Sequence, residues 1–147
     1  KKEIGHVGEI KNVNTALLTD LLNNKYLPVI SPVAASLEDK GKILNVNADT
    51  AAIALAIATN AKDCILLSDV DGVEDENGKV IDNLTPEYAK ELLMKNIIAG
   101  GMIPKVENAI IAAQSGVQCH IANSERLNII DDIFNNNAIE TIISTID

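Results

Sequence analysis

Three short polar segments hold the side chains in this sequence that could do chemistry. The first contains Asn45 and Asp49, an amide and a carboxylate four residues apart, where an extended run passes into a helix. A carboxylate there can orient a lysine ammonium, and the amide can bind a small polar substrate. Asn and Asp also cap helices well, so simple capping is the alternative explanation.

The second segment, residues 67–73, reads LSDVDGV and follows a run of apolar residues. A hydroxyl and free backbone amides in this segment could hold a ribose or a phosphate. An Asx-type turn that only ends the strand explains the same residues without a ligand.

The third segment, residues 100–106, reads GGMIPKV. The two glycines, Gly100 and Gly101, allow the backbone to lie close to a flat ligand such as a nucleobase. Lys105 falls in the first turn of the following helix, where a cation opposes the helix dipole. A lysine at such an unfavourable position suggests a phosphate site, although a solvated lysine on a helix face is the alternative.

The elements that must position these segments alternate between helix and strand along the chain. Asn14 and Asn47 are candidate helix caps, Thr85-Pro86 opens another helix, and Gly116 ends one. Predicted strands are 27–33 (buried), 43–46, 64–67 (central and parallel), 118–122 and 139–144, with 80–81 also extended. Predicted helices are 15–24, 51–59 (buried on all sides), 85–95, 104–115 and 126–134, and residues 74–78 form an exposed hairpin tip.

This alternation predicts an α/β fold, a doubly wound and mainly parallel sheet sandwiched by helices. Ligands of such sheets bind at the carboxyl ends of the strands, where all three polar segments fall. Together they supply a carboxylate, an amide, a glycine-lined slot and a lysine. That set suits phosphoryl transfer, which needs mainly positioning and charge neutralisation.

Composition excludes several other functions. The net charge is −9 and aromatic residues are 2% of the 147 residues, so a general nucleic-acid binder is improbable. The longest apolar run, 51–58, is too short to span a bilayer, and with no signal peptide visible we expect a cytoplasmic protein. Cys64 and Cys119 each lie in an apolar run, which predicts buried free thiols, and a zinc site built with His6 and His120 is very unlikely.

The wording and order of five segments resemble the amino acid kinase superfamily, and within it the acetylglutamate kinases. These segments are 5–10 (GHVGEI), 27–33 (LPVISPV), 45–52 (NVNADTAA), 67–73 (LSDVDGV) and 101–106 (GMIPKV), and they extend over nearly the whole chain. The pattern N-A-D-x-A-A followed by G-M-I-x-K-V is the most specific of them.

The resemblance implies ATP-dependent phosphorylation of the side-chain carboxylate of N-acetyl-L-glutamate, a step of arginine biosynthesis. By position, Lys105 would stabilise the transferring phosphoryl group, Asp49 would hold the catalytic lysines, and Asn45 would contact the acylated amino acid. Ser68, Asp69, Gly72, Gly101 and Met102 would surround the nucleotide. ATP would arrive with Mg²⁺ held mostly by phosphate oxygens and water, so no protein metal ligand is assigned.

The family's K-x-G-G strand, its other glycine-rich loops and its substrate-binding arginine have no counterpart in residues 1–147. The chain therefore looks like a single C-terminal, ATP-binding lobe that lacks the N-terminal substrate lobe and is inactive alone. The complete protein would be a homo-oligomer. A non-catalytic nucleotide-binding or regulatory module derived from such a kinase is the alternative.

Overall fold

A computed structural model describes residues 7–145 of the chain. Its helices and strands alternate along most of that range, as the sequence predicts. Gly5 and His6 of the first family-like segment lie outside the described residues. The elements are α1 (Ala16–Asn23), β1 (Val33–Ala35), β2 (Ile43–Asn45), α2 (Ala48–Ala58), β3 (Asp63–Ser68), β4 (Asn83–Leu84), α3 (Pro86–Met94), α4 (Met102–Gln114), β5 (Gln118–Asn123), α5 (Ile129–Phe134) and β6 (Glu140–Ile143).

The main sheet has four strands in the order β3-β5-β6-β4. Strand β3 pairs with β5 in parallel, and β4 pairs with β6 in parallel, whereas β5 and β6 are antiparallel. A separate antiparallel pair, β1 and β2, precedes this sheet in the chain. The α/β class with a mainly parallel sheet is confirmed, and the antiparallel pairing of β6 is an addition to it.

The short helix α5 explains why β6 runs against β5. A parallel neighbour would require a crossover that returns the chain to the starting edge of the sheet. Helix α5 has six residues and spans about 9 Å. Strand β5, also six residues, is about 20 Å long. The helix is therefore too short to carry the chain back along the strand, and β6 enters from the far end.

The larger hydrophobic core lies on one face of this sheet. Cys64 and Leu66 of β3 and Cys119 and Ile121 of β5 point to this face, where buried residues of α2, α3 and α4 cover them. On the opposite face, Ile129 and Ile133 of α5 and Ala122 form a second, smaller buried cluster with Ile65 and Ala138 packed against it. Helices therefore cover both faces, as a doubly wound sheet requires.

Several local predictions are confirmed by hydrogen bonds. The Asn47 side chain accepts from the Thr50 amide at 3.0 Å and so caps α2. Thr85 caps α3 in the same way, with Pro86 in the first turn. Gly116 follows the end of α4 with a φ of +84°. The tip 74–78 folds back through the Glu74–Val80 bridge.

Residues 27–31 do not form the predicted buried strand. Leu27 and Val29 are 88% and 95% exposed, and regular pairing starts only at Val33. Pro28 and Pro32 lack the amide hydrogens that a ladder needs, so an apolar run with two prolines is a poor strand.

Three other predictions need correction. Helix α2 is not buried on all sides, since only Ile53 and Ala56 reach the buried class. Strand β3 is an edge strand of the four-stranded sheet, not a central one. Helix α5 starts at Ile129, three residues after Arg126, because Asn128 takes a left-handed φ of +61°. These features depend on tertiary neighbours that a local apolar run does not specify.

The remaining helix boundaries shift by one or two residues, except that α2 begins at Ala48, three residues before its predicted start. Helix α4 begins at Met102, so that Pro104 is its third residue. Thr15 occupies the capping position of α1, while Asn14 accepts a hydrogen bond from the amide of Ala16 at 3.1 Å. Within residues 7–145, no helix combines the length and the apolar character needed to cross a membrane.

Candidate active site

The centre of the candidate site is an ion pair between Lys105 and Asp49. The Lys105 Nζ lies 3.1 Å from both carboxylate oxygens, Oδ1 and Oδ2. The two side chains are largely buried, with exposed fractions of 18% and 21%. A pair that is shielded but still reachable from solvent can meet a charged ligand.

Two helix N-termini bring the pair together. Asp49 lies in the first turn of α2, where a carboxylate is favourable. Lys105 lies in the first turn of α4, where its charge opposes the helix dipole. Helices α2 and α4 pack side by side. The carboxylate of Asp49 on α2 thereby offsets the unfavourable position of the Lys105 cation on α4, and the site presents an ammonium near the N-terminal end of α4.

A small cavity of about 180 Å³ lies close to the N-terminus of α4. Gly72 and Met102 line it, so the structure brings these two predicted residues together. Lys105 is three residues after Met102 on the same helix, which corresponds to a rise of about 4.5 Å. The remaining lining residues are Val70, Val73, Glu74, Ile97, Ile98 and Ala99.

The loop after β3 is fixed tightly on its inner side. The Val73 amide donates to the Thr141 Oγ1 at 2.7 Å. A Cβ at Gly72 would lie 2.5 Å from that same oxygen, so only glycine fits there. Ser68 ends β3 and its hydroxyl donates to the Asp69 carboxylate at 3.3 Å. Ser68, Asp69 and Gly101 lie on the flanking backbone but not in the cavity wall.

Asn45 occupies a different part of the site. It is the last residue of β2, is exposed, and accepts a hydrogen bond from the Gly8 amide through its carbonyl at 2.9 Å. Two residues later Asn47 caps α2. Asn45 therefore sits near the helix that carries Asp49, and the side-chain hydrogen bonds of the Lys105–Asp49 pair do not include it.

A wide open cavity of about 690 Å³ lies beside the N-terminal end of the described chain. Its wall combines polar and apolar side chains of residues 7–14 and 30–38 with Ala51 and Leu55 of α2. Both cavities therefore reach α2 or α4, the helices that carry the ion pair.

Cys64 and Cys119 lie opposite each other in the β3–β5 pairing, and both are buried and free, as predicted. A hydrogen bond from Cys119 to Cys64, together with burial, raises the pKa of the Cys119 thiol above its usual range. The same hydrogen bond lowers the pKa of Cys64. At neutral pH Cys119 is therefore protonated and unreactive.

Sequence reasoning missed two groups of residues at this edge. The first is Ile97–Ala99, which lines the small cavity just before the Gly100-Gly101 break. Its signal was an apolar run that directly precedes two glycines. The second is the side-chain cluster of Asp71, Asn123 and Arg126, which has no local signal because Asp71 is 52 and 55 residues from its two partners.

The fold agrees with the comparison to known families. Residues 1–123 match the model of the amino acid kinase family, and the chain belongs to this family. An acetylglutamate kinase from Campylobacter hominis is 41% identical over 144 residues, which cover 97% of this chain and 50% of that protein. An acetylglutamate kinase from Methanosphaera stadtmanae is 43% identical over 147 residues, covering 96% of this chain and 48% of that protein.

The chain thus spans about half the length of the curated relatives that it matches. Among solved structures, the N-acetylglutamate synthase from Neisseria gonorrhoeae superposes with a TM-score of 0.85. It covers 98% of this chain and 34% of the synthase at 23% identity, which shows a shared fold.

Proposed function

We propose that this chain is the ATP-binding lobe of an enzyme that phosphorylates the side-chain carboxylate of N-acetyl-L-glutamate. The observation that carries the proposal is the Lys105 ammonium held by both oxygens of Asp49 at the N-terminus of α4. The names of the relatives, both acetylglutamate kinases, support this acceptor. The N-terminal lobe that would hold most of the acceptor is the proposed partner of residues 1–147.

The proposed reaction makes one bond and breaks one. A carboxylate oxygen of the acceptor forms a bond to the γ-phosphorus of ATP, and the bond from that phosphorus to the β,γ-bridging oxygen breaks. The products are an acyl phosphate and ADP. A glutamate side chain has a pKa of about 4.3 and is already ionised at neutral pH, so the protein has no proton to remove.

The protein's task is then to place charge where it develops in the transition state. Asp49 fixes the position of Lys105, and Lys105 faces the phosphoryl oxygens as negative charge moves onto the leaving oxygen. Backbone amides in the first turn of α4 add positive potential there. Asn45, near the start of α2, would contact the acylated amino acid.

The small cavity fits the base of the nucleotide. Its wall is mainly aliphatic. A base bound there would direct its phosphates toward the start of α4 and Lys105, with Ser68, Asp69 and Gly101 on the flanking backbone. Mg²⁺ bound with ATP would neutralise phosphate charge, and it would be held by phosphate oxygens and water rather than by a side chain.

Calorimetric titration with Mg-ADP tests the nucleotide part of the proposal. We expect saturable one-site binding to the 147-residue chain. Ala99→Trp, which puts a large ring into the small cavity, should abolish it. Ala58→Trp, at an exposed position near the end of α2, is the matched control and should bind normally. No binding by a chain that unfolds cooperatively would contradict the proposal.

The acceptor is tested by supplying the N-terminal half of the Campylobacter hominis acetylglutamate kinase in trans. With ATP and N-acetyl-L-glutamate, hydroxylamine should trap the acyl phosphate as a hydroxamate, whereas either half alone should give none. Lys105→Ala should lower turnover by roughly 10²–10³-fold and change the KM for ATP only slightly. Lys90→Ala, on the exposed side of α3, controls for the lost charge. Equal turnover with free glutamate would contradict the proposed acceptor.

A non-catalytic nucleotide-binding or regulatory module is the second candidate. It requires no K-x-G-G pattern, and residues 1–147 contain none. This candidate predicts that the chain binds Mg-ADP but that no N-terminal half restores phosphorylation. It also predicts equal Mg-ADP binding by the parent chain and Asp49→Asn.

A further inference from the structure

Asp71 is the centre of a side-chain cluster at the carboxyl edge of the sheet. Its Oδ1 accepts from the Arg126 Nε at 2.8 Å and from the Asn123 Nδ2 at 2.9 Å. Its Oδ2 accepts from the Arg126 Nη2 at 2.6 Å. Arg126 therefore binds the carboxylate with two parallel hydrogen bonds, the strongest geometry available to this pair.

The cluster ties two loops together at the site's edge. Asp71 belongs to the loop after β3, Asn123 is the last residue of β5, and Arg126 belongs to the loop that follows β5. Asn123 uses its Oδ1 to accept from the Glu125 amide at 2.9 Å, which fixes its own loop. The Ser124 amide also donates to the Ser68 carbonyl at 2.8 Å, so the link extends from backbone to side chains.

On its other side, the same β3 loop is bound by Thr141, as described above. Residues 68–73 are thus fixed between β5 on one side and β6 on the other. Val70, Gly72 and Val73 of this loop line the small cavity, but Asp71 itself does not. Its carboxylate points away from the cavity and toward Arg126.

We infer that Arg126, through Asp71, is a positioning residue that holds the β3 loop in the shape required for nucleotide binding. Arg126 does not line the small cavity, and its Nε and Nη2 are engaged by Asp71. The predicted effect of Arg126 on nucleotide binding rests on the proposed function. We call the hydrogen bonds from Arg126 and Asn123 to Asp71 the clamp. The statement that the clamp orders residues 69–73 does not depend on the proposed function.

The clamp contributes little to global stability. The side chains of Arg126 and Asp71 are 41% and 31% exposed, and ion pairs of this kind have small effects on unfolding. The effect of the clamp is local. It restrains the loop after β3, and the loop after β5 has no buried side chain that could pack against it. This difference between local order and global stability allows the two to be measured separately.

Hydrogen–deuterium exchange of residues 69–74 tests the clamp without any ligand. Arg126→Ala should accelerate exchange in this loop by roughly tenfold, and Asp71→Ala should do the same. Exchange in β5 should stay unchanged. Glu91→Ala removes the Lys95–Glu91 pair, which is also exposed and has the same 2.6 Å contact, and serves as the matched control. Unchanged exchange in both variants would overturn the inference, whatever nucleotide binding shows.

Mg-ADP titration then separates positioning from direct contact. For a positioning residue, Arg126→Ala and Asp71→Ala each weaken binding by roughly tenfold, and the double variant is no weaker than either single one. Arg126→Lys, which retains one charged donor, should recover part of the loss. If Asp71→Ala binds Mg-ADP as tightly as the parent or more tightly, Arg126 acts on the nucleotide itself and the inference is wrong. If the parent chain binds no Mg-ADP but the variants still exchange faster than the parent in residues 69–74, the proposed function is contradicted and the inference about the clamp stands.

Discussion

The Lys105–Asp49 pair shows how much chemistry single residues can reveal in a sequence. Lys105 stood out because its charge is unfavourable at a helix start, and that argument needs only local structure. Its partner could not be derived in the same way, since Asp49 is 56 residues away and equally suited to capping. In the structure, Asn47 caps α2. Asp49 is therefore free of that task and engages Lys105.

Replacing Asp49 with Asn separates the ion pair from helix capping. Asn has nearly the same size and is tolerated at a helix start, so we expect the folded chain to persist. In the enzyme assembled from two halves, turnover should fall by roughly 100-fold because Lys105 is no longer held. Asp39→Asn, in the exposed turn 36–42, is the control. A variant that unfolds instead would show that the ion pair with Lys105 is required for the fold rather than for turnover alone.

The Asp71 carboxylate gives a prediction for acid conditions. Its hydrogen bonds from Arg126 and Asn123 lower its pKa from 3.8 to about 2. A carboxylate with a depressed folded-state pKa stabilises the native state above its unfolded pKa and loses that contribution as pH falls through the folded one. The difference in urea unfolding between the parent and Asp71→Asn should thus be small, because the pair is exposed, and constant from neutral pH down to pH 5.

Between about pH 3.8 and pH 2 the same difference should shrink, because the parent's carboxylate becomes protonated. Measurement of both proteins across this range checks the sign. A difference that grows as the pH falls would show that Asp71 is not stabilised in its ionised form.

At the scale of helices and strands, elements with a local signal were predicted well. Helix α3 has Thr85 as its cap and Pro86 in its first turn, and it lies within one residue of its predicted end. Elements defined by their neighbours were not predicted. The position of β3 at the sheet edge and the antiparallel direction of β6 follow from how distant segments pair, which no short window contains. The candidate site divides in the same way, since its segments were predicted and the contacts between them were not.

Gly72 gives a prediction about the β3 loop as an element. A Cβ there would meet the Thr141 Oγ1 at 2.5 Å, the Val80 Cγ1 at 2.9 Å and the Thr141 backbone nitrogen at 3.0 Å. Gly72→Ala should therefore lower the free energy of unfolding by about 1–3 kcal/mol and weaken Mg-ADP binding. Gly101→Ala meets no atom within 4 Å and should cost clearly less in urea unfolding. Equal losses in the two variants would contradict the steric argument.

Over the whole described chain, burial is uneven. Both hydrophobic clusters are built from residues 53–143, and none of residues 7–45 reaches the buried class. Large apolar side chains are exposed along this N-terminal part: Val7, Leu17, Leu22, Leu27, Val29, Ile30, Val33 and Ile43. In the proposed two-lobed enzyme this is the part nearest the missing lobe, and the wide cavity lies within it.

This distribution predicts unequal protection of backbone amides. Amides of residues 26–31, which lie in exposed and irregular chain, should exchange orders of magnitude faster than those of β5 in the sheet. Addition of the N-terminal half should slow exchange in residues 7–45 and leave β5 unchanged. Hydrogen–deuterium exchange with and without that half measures both. Equal protection of the two regions in the isolated chain would contradict the uneven core.

The buried cysteines allow the opening of the sheet to be measured by chemical labelling. Cys119 is 0% exposed, lies on β5 between two neighbouring strands, and keeps its proton at neutral pH. An alkylating reagent can reach this sulfur only after β5 separates from the helices above it. The rate of Cys119 labelling therefore reports how often the core around β5 opens, and no probe residue has to be introduced.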